Sequence, residues 1–169
     1  MIYKGFYVHT SFIACFYYYK LFVINNSNFN TVEVELVELS KYSEIFKKLT
    51  TPKNDTTFER LSTRLIYLDI STIYPLILYI EGDNEIDRDN KNKIYQYLDS
   101  YITRRFLCGY TTKNYNNVFL EYLKFLTIKK DSELFKDLLL SKTSETNLWP
   151  TDNILLDKLL ERPLYREEK

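Results

Sequence analysis

Glycine and proline are scarce in this chain of 169 residues, which contains 3 Gly and 4 Pro. These two residues supply most of the tight turns that join strands, so their scarcity argues against a sheet-rich fold. The long segments between the few breaks carry apolar residues at the i, i+3 and i+4 spacing of amphipathic helices. The sequence therefore predicts an all-α fold, a single helical domain over residues 1–169 that forms a bundle of about seven or eight helices.

Capping residues and breaks give the approximate limits of these helices. Predicted helices cover residues 6–23, 32–49, 72–80 and 89–107, and others begin at caps provided by Thr56 or Thr57, by Thr112, by Asp131 or Ser132, and by Trp149-Pro150-Thr151-Asp152. Pro75 is tolerated in a first helical turn, and Gly109 is placed as a C-terminal cap. Residues 32–36 alternate Val-Glu-Val-Glu-Leu, so a short strand is an open alternative there.

Composition excludes several classes of function. Lys plus Arg equals Asp plus Glu at 23 each, so the net charge favours neither nucleic acid nor an anionic membrane. His9 is the single histidine, and Cys15 and Cys108 fit neither a metal spacing nor a disulfide framework; both are predicted to be buried free thiols. No Gly-rich phosphate loop, nucleophile elbow or H-E-x-x-H motif occurs. We expect a chain that is not an enzyme and needs no cofactor or metal.

The first twenty residues resemble a lipoprotein signal weakly. Lys4 precedes an apolar run that ends near Cys15, but His9 interrupts the run and Lys20 ends it too soon for a membrane span. We therefore expect a folded segment, no association with the membrane, and a cytoplasmic location.

Two adjacent arginines end the helix predicted over residues 89–107. The i, i+3, i+4 pattern places Arg105 at the middle of the apolar face, and Arg104 lies about 100° away on its flank. A guanidinium is costly to bury without partners, so Arg105 must meet a carboxylate, bind the carbonyl groups at a helix C-terminus, or open onto a ligand surface.

Two hypotheses follow for this region. In the first, Arg105 is a satisfied structural arginine that ties two helices together. In the second, a phosphate or nucleic acid is bound by a cluster at the following helix start, where free N–H groups suit phosphate. The residues of this predicted nucleic-acid site are Arg104, Arg105, Thr112, Lys113 and Asn114.

The order of residues 97–116 resembles the E-S-x-x-x-R-R-x-x-x-G-x-T-x-K-x-Y-N stretch of GmrSD-type proteins, which are modification-dependent (type IV) restriction enzymes used against phage. Other pieces follow in the same order. Residues 74–78 resemble the family's Y-Y-P-L-L-L element, and residues 149–152 and 162–165 resemble an (F/W)-P-x-D … R-x-L-Y stretch. The likeness covers residues 32–165, whereas residues 1–31 match poorly.

The resemblance implies the helical region between the family's two catalytic ends. Its N-terminal D-G-Q-Q-R motif, associated with nucleotide hydrolysis, is absent here, and one histidine does not supply the family's HNH-type nuclease site. The chain is thus expected to be a non-catalytic module that contacts DNA or couples nuclease and nucleotide-hydrolysing domains encoded nearby. The alternative is a standalone helical scaffold for protein interaction, such as a homodimer.

Overall fold

The computed structural model describes residues 31–53 and 55–161, and every regular element in these ranges is a helix. The elements, in chain order, are α1 (Val32–Thr50), α2 (Thr57–Tyr67), α3 (Tyr74–Gly82), α4 (Arg88–Leu107), α5 (Tyr115–Lys129), α6 (Ser132–Leu140) and α7 (Asp152–Glu161). The all-α prediction is confirmed. The helix predicted over residues 6–23 lies outside the described residues, as do His9, Cys15 and the stretch 162–165.

The chain divides into two compact units, Met1–Ser43 and Glu44–Lys169, with the boundary inside α1. In the first unit, residues 32–43 are helical and none of them is buried. Residues 32–36 belong to α1, so the alternative of a short strand there is wrong. Thr31 precedes this helix, and its Oγ1 accepts a hydrogen bond from Val34 N at 3.4 Å.

The second unit is organised around α4, the longest of the described helices. This helix packs against α2, α6 and α7, while α5 packs against α3 and α6. The buried face of α4 includes Ile94, Leu98, Tyr101 and Ile102, spaced as the sequence pattern predicts, together with Tyr95. An aromatic cluster from α4, α5 and α6 fills the space between these helices, with ring centroids 5.5 to 6.5 Å apart at Tyr101–Tyr122, Tyr101–Tyr115 and Tyr122–Phe135.

Local capping fixes where most of these helices begin. Thr56 caps α2: its Oγ1 accepts a hydrogen bond from Glu59 N at 3.2 Å and donates one to Glu59 Oε2 at 2.9 Å. Asp131 caps α6 by accepting from the amides of Glu133 and Leu134, both at 2.9 Å. These two caps agree with the prediction. The start of α3 differs: it begins at Tyr74 rather than residue 72, with Pro75 in its first turn.

The C-terminus of α4 is closed by Gly109, which adopts a φ of 70°. Gly109 N donates to Phe106 O at 2.9 Å and Tyr110 N donates to Arg105 O at 3.0 Å, the two bonds of a Schellman motif. This geometry confirms Gly109 as the cap. It also turns the chain back so that residues 110–114 run past the end of α4.

Candidate functional site

Arg105 is a charged residue on the apolar face of α4, and it is completely buried. Its Nη1 donates to the carbonyl oxygens of Glu145 and Leu148 at 3.1 and 3.0 Å. Its Nη2 donates to those of Thr111 and Thr146 at 3.2 and 3.1 Å. Backbone carbonyls therefore compensate the buried charge, and the guanidinium fastens the loop between α6 and α7 to the end of α4.

Three tyrosine rings complete the surroundings of this guanidinium. Its central carbon lies 5.5, 5.1 and 5.7 Å from the ring centroids of Tyr101, Tyr110 and Tyr115, within cation–π range. Burial raises the pKa of Tyr101 to about 12, although the charge of Arg105 opposes this shift. Enclosed in this way, Arg105 has no surface to offer a phosphate. These contacts are those expected of the structural arginine in the first hypothesis, and a nucleic-acid contact by Arg105 stays a prediction.

Arg104 lies on the flank of α4, and its contacts hold the start of α7. Its Nε donates to Ser100 Oγ at 3.2 Å, its Nη1 to the carbonyl of Pro150 at 3.0 Å, and its Nη2 pairs with Asp152 at 2.6 Å. Asp152 is the first residue of α7 and is largely exposed. Every nitrogen of the guanidinium thus has a partner within the chain, so binding a phosphate there requires displacing Asp152.

The other predicted members of the site lie at the start of α5. The cap is Asn114 rather than Thr112, which is exposed and uses its carbonyl to accept from Tyr115 N at 3.0 Å. The predicted cap at Thr112 is therefore wrong. Asn114 makes no side-chain bond to the helix backbone, since its Oδ1 accepts from Asn117 Nδ2 at 2.9 Å. Lys113 is exposed. A nucleic-acid contact by Thr112, Lys113 and Asn114 stays a prediction.

A groove of about 430 Å³ lies beside Arg104, between α2, α4 and α7. Arg64 crosses it, pairing with Asp99 at 2.8 Å and donating to Thr103 Oγ1 at 2.8 Å. Burial raises the pKa of Asp99 above its ordinary value, although the charges of Arg64 and Arg60 oppose this shift. Because Arg64 is matched by Asp99 and Arg104 by Asp152, the groove has no surplus positive charge with which to attract an anion.

The sequence did not lead us to predict one exposed apolar surface, the outer face of α7. This helix has ten residues, five of them apolar, and none is buried. Leu156 and Leu160 are 58% and 80% exposed and lie one turn apart. The signal was present: the apolar residues of α7 cover more than one face, as the sequence Ile154-Leu155-Leu156 and Leu159-Leu160 shows.

A metal site and a membrane-spanning helix are both absent from the part of the chain that the structure describes. No group of three or more His, Cys, Asp or Glu side chains is placed to hold a metal ion. Likewise, within residues 31–53 and 55–161 no helix combines the length and apolar character needed to cross a bilayer. Cys108 is buried, as predicted, and burial raises the pKa of its thiol.

No protein-family model, curated protein or solved structure matches this chain. The likeness to GmrSD-type proteins rests on the motifs in the sequence.

Proposed function

We propose that this chain is a non-catalytic, cytoplasmic helical module of a GmrSD-like phage-defence restriction system that couples other domains through helix contacts. The observation that carries the proposal is α7, a helix with five apolar residues and no buried one. Burying a leucine is worth about 1.5–3 kcal/mol, so an exposed pair such as Leu156 and Leu160 favours a protein contact. The internally paired groove supports the same choice, since it offers a phosphate no net attraction.

The resemblance indicates which domains to test. In GmrSD-type proteins a helical region lies between a D-G-Q-Q-R domain and an HNH-type domain, so we expect reading frames for such domains beside this gene. The experiment is to sequence the flanking DNA, purify the encoded domains, and measure complex formation with this chain by analytical ultracentrifugation. We expect a complex that the double substitution of Leu156 and Leu160 by glutamate weakens at least tenfold, about 1.4 kcal/mol.

Two results would count against this proposal. Flanking frames that encode neither domain would remove the restriction-system part. Domains that are present but form no complex at roughly 100 µM, corresponding to less than about 5.5 kcal/mol of binding energy, would remove the coupling part. Leu140 is an exposed leucine on α6 and gives the matched control, because Leu140→Glu should leave the complex unchanged.

A second candidate function is contact with DNA at the start of α5. It is favoured by one observation: Lys113 is exposed next to a helix N-terminus whose cap, Asn114, makes no side-chain bond to the helix backbone. If Lys113 contacts phosphate, Lys113→Ala lowers the slope of log K against log salt by about 0.9 on duplex DNA. Lys48, an exposed lysine of α1, is the control for loss of one charge. Equal slopes for the two variants would refute the contact.

A further inference from the structure

The outer face of α7 is an acidic stripe with two leucines at its centre. Its exposed residues recur one turn apart, as Asp152 and Asn153, Leu156 and Asp157, and Leu160 and Glu161. The stripe includes no lysine or arginine. Lys158 lies on its flank and pairs with Glu161 at 2.8 Å. The surface that fits this stripe is apolar at its centre and basic at its rim.

A surface with an apolar centre and one lysine at its edge lies on the same chain, at the outer side of α5. An apolar hollow of about 230 Å³ lies between the start of α3 and α5, lined by Thr72, Pro75, Leu76, Asn116, Phe119, Leu120 and Leu123. Lys124 is exposed and follows the hollow on α5, one turn beyond Leu120. Ile128, one turn further, is 76% exposed and continues the apolar line. No carboxylate lines the hollow.

We propose that this chain binds a second copy of itself, with the α7 stripe of one copy seated on the α5 surface of the other. Leu160, the more exposed of the two leucines in the stripe, enters the hollow between Pro75 and Phe119. Asp157 then lies at the rim that carries Lys124. This inference rests on the proposed function, in which α7 is the docking element, and it names a second copy of this chain as one partner of α7.

The size of the hollow favours a side chain over a small molecule. Pockets for drug-sized ligands begin near 300 Å³ and enclose most of the ligand, whereas this hollow is smaller and is lined by apolar side chains with only Thr72 and Asn116 as polar groups. An apolar side chain seated in a pocket and surrounded by a polar rim is the usual arrangement at the centre of a protein interface. The volume of the hollow and the lysine beside it both favour the α7 stripe as the bound surface.

Symmetry provides the remaining area. The stripe is about 15 Å long, since ten helical residues rise 1.5 Å each, and alone it covers much less than the roughly 800 Å² per partner of a stable interface. In a two-fold dimer the contact forms twice, with each copy giving its α7 and receiving the other's. If the rotation that relates neighbouring copies is not two-fold, the same contact joins more than two copies into longer oligomers.

Sedimentation velocity of the purified chain over a concentration series tests this contact. We expect a concentration-dependent dimer, and Leu160→Asp should weaken it at least tenfold. Leu140→Asp is the matched control, because Leu140 is also an exposed leucine, 53% exposed, but lies on α6. Both side chains are exposed, so circular dichroism and the melting temperature should confirm that both variants fold.

Charge reversal distinguishes this interface from nonspecific association. Lys124→Glu and Asp157→Lys should each weaken association, and mixing the two variants should restore it in a heterodimer, because the reversed charges then face each other. A larger oligomer that Leu160→Asp dissolves also supports the contact. A monomer at all concentrations, or self-association that Leu160→Asp leaves intact, would overturn it. These outcomes use the chain alone, so they are independent of binding to neighbouring domains.

Discussion

Replacing Arg105 with methionine is expected to destabilise the second unit more than replacing its neighbour Arg104. Methionine keeps the length and fits among the tyrosine rings, but it removes four hydrogen bonds to backbone carbonyls. A buried acceptor left without its donor costs about 1–3 kcal/mol, so we expect the loss of these four bonds to cost about 3–5 kcal/mol, a large part of the 5–15 kcal/mol that holds a typical domain together. The reason is that four carbonyl oxygens lose the donor that lies between them, and the methionine side chain offers no replacement.

The assay is urea unfolding followed by the fluorescence of Trp149, the one tryptophan of the chain. Trp149 adjoins Leu148, whose carbonyl binds Arg105, and packs edge-on against Tyr97 with centroids 6.5 Å apart. At a urea dependence of about 2 kcal/mol per M, the midpoint should fall by about 1.5–2.5 M. Circular dichroism measured in parallel checks that the helices unfold in the same transition.

The control is the neighbouring Arg104→Met. Its ion pair involves the largely exposed Asp152, and such pairs contribute about 0–1 kcal/mol. A cost below about 1 kcal/mol for Arg105→Met, or equal costs for the two substitutions, would refute the view that the buried guanidinium organises this loop.

Three further predictions concern stability. Asp69 has a φ of 55° at the end of α2, so Asp69→Gly should raise the free energy of unfolding by up to about 1 kcal/mol, measured by urea titration. Burial acts to raise the pKa of Asp83, but hydrogen bonds from Tyr79, Lys130 and a backbone amide lower it to about 2. Its contribution of about 2 kcal/mol is therefore present above pH 4 and is lost as pH falls toward 2, and Asp83→Asn should flatten that part of the stability profile. Asp131→Ala removes the cap of α6 and should cost about 1 kcal/mol, visible as a lower melting temperature.

Each of these would be contradicted by a clear result. A less stable Asp69→Gly variant would show that the side chain of Asp69 stabilises the fold by more than its positive φ destabilises it. An unchanged acid limb in Asp83→Asn would show that other carboxylates control acid unfolding. Asp131→Ala should also leave the amide exchange of α2 unchanged, since only α6 loses its cap.

The helices and their ends were largely predictable because they depend on neighbours in the sequence. Thr56, Asp131 and Gly109 each act within three or four residues, through a side-chain bond to a nearby amide or through a left-handed φ. The inward position of Arg105 was also predictable, since it follows from the 3.6-residue period of α4. The cap at Asn114 was not, because Thr112 has equally good cap chemistry and the path of the chain past the end of α4 decides between them.

The sequence by itself determined that the chain is helical, where most helices begin, and that a charged Arg105 enters the core. Only the tertiary structure decided what that charge meets, because its carbonyl partners Glu145, Thr146 and Leu148 come about 40 residues later and carry no side-chain signature. It also decided which apolar residues remain outside. Leu156 and Leu160 resemble core residues in any local pattern, and their exposure follows from α7 packing against α4 by its opposite side.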